Sequence, residues 1–87
     1  MRVQAVVDRG EIRSFVVQYE AIFESYWQPI VRYDTAHGFA HRDLYHPSLP
    51  TEKQSLPVDD LNRAFTFAVK DSKMQWRYYR EKYEREI

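Results

Sequence analysis

From Val58 to Ile87 the chain contains neither glycine nor proline, and this run constrains the fold more than any other feature. Within it Leu61, Phe65, Ala68, Ser72, Trp76, Tyr79 and Tyr83 recur at spacings of three or four, which puts them on one stripe of a helix. Pro57 or Asp59 marks the start, with Asp59 and Asp60 placed at the positive end of the helix dipole. At 1.5 Å per residue the run predicts about 40 Å of helix, longer than a small sheet is wide. Its last turns are therefore expected to overhang the sheet or to pack on another chain. Glu81 with Arg85 and Arg80 with Glu84 have the i,i+4 spacing that supports an exposed helix end.

The other half of the chain changes period. Val3, Ala5 and Val7 alternate with polar residues, and Asp8-Arg9-Gly10-Glu11 reads as a turn. From Ile12 to Phe23 the apolar residues Phe15, Val17, Tyr19, Ala21 and Phe23 share one strand face, opposite Ser14, Gln18 and Glu20. After a turn at Glu24-Ser25-Tyr26, the residues from Trp27 to Asp34 place Trp27, Val31 and Tyr33 on one face and Arg32 and Asp34 on the other. Pro29 cannot donate to a ladder, so its position is expected at an edge or a bulge. A shorter strand is expected around Phe39 to Tyr45. A loop stiffened by Pro47, Pro50 and Pro57 follows, with a short edge strand near Gln54 to Leu56 as an option. The expected fold is α+β. One domain, residues 1–87, holds an antiparallel meander of three to four strands packed against one long C-terminal helix.

With 87 residues the core is marginal, and burial against a partner would help it. Thirteen basic and thirteen acidic residues balance, so overall charge gives no argument for nucleic acid. Basic and aromatic residues interleave between Lys73 and Arg85, a pattern that can form a nucleic-acid surface but on a helix is more often a solvated face. The absence of cysteine excludes disulfides and thiolate metal sites. Neither a signal peptide nor a membrane span is recognisable, so a cytoplasmic location is expected.

All three histidines, His37, His41 and His46, fall in ten residues just after Arg32-Tyr33-Asp34. Imidazole can take and give a proton near neutrality. If Thr35 to Gly38 is the hairpin loop, Asp34 pairs with Phe39 and Arg32 lies across from His41. Arg32, Asp34 and His41 then share one face, with His37 in the turn above. A slip of one residue would move His41 to the other face, and Arg42 fits the core face poorly. Two imidazoles and Arg32 could serve as base, acid and phosphate anchor in metal-free RNA cleavage, with Asp34 orienting one ring or pairing with Arg32. The blander readings are a cross-strand ion pair and an ordinary tight turn. A metal set of His37, His41, His46 and Asp34 is the other alternative, but its spacing matches no known zinc frame. No cofactor is expected. His46 reads as a surface residue, and Trp27 and Trp76 read as core.

The run Arg32-Tyr33-Asp34-Thr35-Ala36-His37-Gly38-Phe39-Ala40-His41, followed by Leu61-Asn62 opening a helix with Trp76 and Tyr79, resembles small prokaryotic proteins of unknown function. These are distantly similar to TumE-like toxins of toxin–antitoxin pairs. The resemblance implies an α+β fold, an antitoxin partner and toxicity through RNA. It carries over to Tyr33, Asp34, Gly38 and His41. Asp43 stands where TumE-like chains often have a second histidine.

The expected function is thus a toxin-like ribonuclease using His41, His37, Arg32 and Asp34 with Tyr33 in support. The alternative is a non-catalytic module that binds a partner through the helix. Aromatic surface at Trp76, Tyr78, Tyr79 and Tyr83 also suggests a homodimer through that helix.

Overall fold

The computed structural model describes residues 1–36 and 38–87. Five strands, β1 (Arg2–Asp8), β2 (Glu11–Phe23), β3 (Tyr26–Asp34), β4 (His41–Leu44) and β5 (Glu52–Ser55), precede one helix, α1 (Leu61–Arg85). The strands pair antiparallel in chain order. The α+β meander with a C-terminal helix is as expected, but it has five strands rather than three or four. The segment between Pro50 and Pro57 forms a true edge strand beside β4.

Two hairpins turn on residue pairs with positive φ: Arg9 at 51° and Gly10 at 78°, then Glu24 at 52° and Ser25 at 71°. Positive φ at both central residues gives the type I′ turn, whose twist matches that of the flanking strands. Gly10 adopts this without cost, whereas Ser25 carries a Cβ into the left-handed region. Ser25→Gly is therefore expected to raise stability by about 1 kcal/mol. An unchanged or lower urea midpoint would contradict this.

The helix begins later than the sequence suggested, its cap lying one residue beyond Asp59 and three beyond Pro57. Asp60 is the N-cap, accepting from the Asn62 N–H at 2.8 Å. Asn62 in turn accepts the Ile12 N–H at 2.9 Å, which ties the first helical turn to the start of β2. From there helix and strand run together: Phe15 meets Phe65, Tyr19 meets Trp76, and Phe23 stacks on Tyr83. Eight residues of strand and eighteen of helix both span about 26–27 Å, so the contacts stay in step. This corrects the expected overhang, because β2 is long enough to follow the helix. Tyr79 and Tyr83 are buried on the chain's own sheet, while Met74, Tyr78 and, less fully, Trp76 are exposed late in α1.

Between Tyr19 and Glu20 the β2–β3 register shifts, with Ile30 as the extra residue. Pro29 sits beside this bulge, where its missing N–H does no harm. The bulge also overturns the expectation for Trp27. Without it Trp27 would share a face with Val31 and Tyr33; with it Trp27 turns to the opposite face and is 64% exposed. Trp76, also expected in the core, lies at its margin, with its edge against Tyr19 and Arg77 over its ring. The core itself is Phe15, Val17, Ala21, Ile30, Val31 and Tyr33 under Ala64, Ala68, Tyr79 and Tyr83. The helix covers β2 and β3 on one face, and among the described residues the other face of the sheet carries no helix.

Candidate functional site

Strand alternation sends neighbouring residues of β3 and β4 into two separate polar clusters. On the helix-free face stand Arg32, Asp34, His41 and Asp43. On the helix face stand Tyr33 and Arg42.

The register of β3 with β4 pairs Asp34 with His41 and Arg32 with Asp43. The expected pairing, Arg32 against His41, was off by two residues. An even offset leaves every side chain on its face, so Arg32, Asp34 and His41 do come together. The shorter strand has a physical origin. Asp34 Oδ1 accepts the Ala36 N–H at 3.2 Å and Gly38 N–H bonds the Thr35 carbonyl, so the turn takes Phe39 and Ala40 out of the ladder. Gly38, at φ 83°, supplies the left-handed residue this turn requires.

His41 is only 3% exposed. Its Nε2 lies 2.9 Å from Asp34 and 3.7 Å from Asp43, while Nδ1 faces the Phe39 carbonyl and the Phe39 ring lies alongside. Each carboxylate has a cation behind it. Arg32 Nε donates to Asp34 at 2.7 Å, and Lys53 from β5 reaches both oxygens of Asp43 at 3.2 and 3.3 Å. Arg32 also donates to Gln18, which donates to Glu20, which meets Arg2. A polar chain thus crosses the face from β1 to β5. Burial pushes the Asp34 carboxyl up, but the Arg32 bond, the Ala36 N–H and the nearby His41 together hold it below its usual value.

Beside this chain an open groove of about 430 Å³ runs over β1 and β2, lined by Gln4, Val6, Ser14 and Val16 with Arg32 and Asp34 at its wall. A ligand there would meet Arg32 and Asp34 first and His41 behind them.

The other cluster is under the helix. Asp71 Oδ2 accepts from Tyr33 Oη and Tyr79 Oη, each at 2.5 Å, and from Arg42 at 3.1 Å. Arg42 also donates twice to Gln54. Tyr33, expected to support the chemistry, therefore lies across the sheet from it. Arg42, which seemed misplaced on a core face, is held there by Asp71. Burial, with the Asp71 bond, pushes the Tyr79 hydroxyl up to about 12 and Tyr33 higher still.

His37 lies outside the described residues. His46 is nearly covered, with Nδ1 2.7 Å from Glu86, and it fastens the loop after β4 to the end of the helix. It is neither the surface residue expected nor a member of the His41 cluster. Among the described residues the metal-ligand group is instead Asp34, His41 and Asp43, whose donor atoms lie within 4.8 Å of one another. Arg32 and Lys53 already neutralise its carboxylates, which weakens their pull on a divalent ion. Asp43 was missed as a site member although it lies two residues from His41, on the same face by simple alternation. Lys53 and Asp71 carried no comparable signal, since only strand and helix packing bring them in.

Fold and site define a small α+β protein whose meander sheet is helix-covered on one face and carries a buried Asp–His–Asp cluster on the other. The chain belongs to the family described as a domain of unknown function, DUF7718, whose model matches residues 1–87. No curated protein and no solved structure matches it. Among the described residues no helix is long and apolar enough to cross a membrane.

Proposed function

We propose that this protein is a toxin-like ribonuclease that cuts RNA by acid–base chemistry on the helix-free face of its sheet. The observation that carries the reading is the run Arg32–Asp34–His41 at the wall of an open groove. Arg32, half exposed, meets the phosphate. Asp34, kept ionised by its partners, takes the 2′-hydroxyl proton and shares it with His41. The 2′ oxygen then attacks phosphorus and the bond to the 5′ oxygen breaks, that oxygen taking a proton from solvent. The products are a 2′,3′-cyclic phosphate and a 5′-hydroxyl. Asp43, paired with Lys53, approaches the same imidazole nitrogen, Nε2, at 3.7 Å. The roles thus differ from those the sequence suggested, with the carboxylate in front and the imidazole behind. The resemblance to TumE-like toxins agrees, since its Asp34 and His41 are the pair brought together. An antitoxin encoded beside the gene is the partner this reading requires.

Expression in bacteria is expected to arrest growth, and co-expression of the neighbouring reading frame to relieve it. Purified protein is expected to cut single-stranded RNA in excess EDTA, leaving cyclic phosphate ends. Full tolerance together with intact RNA would overturn the reading in favour of a non-catalytic module. Cleavage abolished by EDTA and restored by a divalent ion would move the chemistry to a metal held by Asp34, His41 and Asp43.

A further inference from the structure

The two edges of the sheet differ sharply. β5 has four residues, Glu52-Lys53-Gln54-Ser55, set between Pro50 and Pro57, and such short charged edges resist pairing. β1 has seven, Arg2-Val3-Gln4-Ala5-Val6-Val7-Asp8, every one exposed and none a proline or lysine. Among the described residues α1 packs on β2 and β3 and leaves β1 uncovered. The irregularity between β1 and β2 places its extra residue, Arg13, in β2, so β1 stays regular.

We propose that β1 is a self-pairing edge, joining two copies of this chain antiparallel about a two-fold axis at Ala5. The argument is the self-complementarity of its sequence in that register. Arg2 falls opposite the partner's Asp8, Val3 opposite the partner's Val7, and Gln4 opposite the partner's Val6. By symmetry each of these pairs occurs twice. Arg2 and Asp8 are the only charges on the strand, of opposite sign and equidistant from Ala5. Their contacts within the chain are loose, 3.4 Å to Glu20 and 3.7 Å to Arg13 with exposed side chains, and leave both available to a partner. The paired copies form one ten-stranded sheet with both helices on the same face. The groove floor at Gln4 and Val6 then continues from one copy into the other.

Light scattering from 1 to 100 µM is expected to show a mass rising to twice the 10.6 kDa of the chain. Arg2→Asp and Asp8→Arg each set like charges opposite one another twice, and each is expected to weaken the dimer about tenfold. The double swap Arg2→Asp/Asp8→Arg restores opposite charges, and its affinity is expected to return to within about threefold of the original. Both positions are exposed, so these variants keep the fold. A monomer at 100 µM would overturn the proposal. So would a double swap no better than the singles, or dissociation by Met74→Lys/Tyr78→Glu on the helix.

Discussion

Asp71→Ala is expected to lower stability by about 3 kcal/mol. The carboxylate is the shared acceptor of two phenols and a guanidinium. Its removal leaves the Tyr33 hydroxyl, on a residue with no exposed surface, without its acceptor and Arg42 without its counter-charge. A domain of this size has about 4–13 kcal/mol in total, so the urea midpoint should fall by about 2–3 M. In the Tyr33→Phe/Tyr79→Phe background the same change should cost clearly less, because the groups it strands are gone. The cluster also sets an alkaline limit. Unfolded tyrosine ionises near pH 10, whereas Tyr79 is held up to about 12 and Tyr33 higher. This contribution is therefore constant below pH 10 and is lost as pH rises through about 12. The Tyr33→Phe/Tyr79→Phe variant should lack that fall. A midpoint for Asp71→Ala within 0.5 M of wild type would show, on this order of magnitude, that the cluster contributes little.

Asp34→Asn is expected to reduce RNA cleavage by about 10²–10⁴-fold, the range for loss of a positioned base. The amide keeps the shape and an oxygen for the Ala36 N–H, so the turn should hold. Its NH2 replaces the oxygen that accepts from Arg32, however, and stability should fall by about 2 kcal/mol. The comparison separates chemistry from folding, which Asp34→Ala would not. His41→Ala should lose activity in the same range if the two groups share one proton. Because the folded Asp34 carboxyl lies below its unfolded value near 3.9, its stabilisation is complete above that value. It is lost as pH falls through the folded value, and Asp34→Asn should remove that acid limb. Cleavage by Asp34→Asn within fivefold of wild type would place the base elsewhere, with His41 next to be tested.

The two clusters show how far alternation alone can be read. Period-two spacing was enough to put Arg32, Asp34 and His41 on one face, even with their pairing misjudged, because a two-residue offset conserves faces. The same rule would have added Asp43. It failed at Trp27, where one extra residue at Ile30 reversed the parity of the strand before it. No pattern in the sequence announces a bulge, apart from the hint given by Pro29.

What the sequence determined by itself was local and periodic: the helical stripe from Leu61, the alternation of β2, the turns at Arg9-Gly10 and Glu24-Ser25, and the crowding of ionisable groups after Arg32. Each follows from backbone sterics and side-chain spacing within a few residues. Only the tertiary structure decided which partners those groups met. Lys53 reaches Asp43 because β5 pairs with β4, and Asp71 reaches Tyr33 and Arg42 because α1 runs in step with β2. Such contacts join residues ten to thirty-eight positions apart. They depend on register and packing angle, which are set by burial over the whole sheet and by no single segment of it.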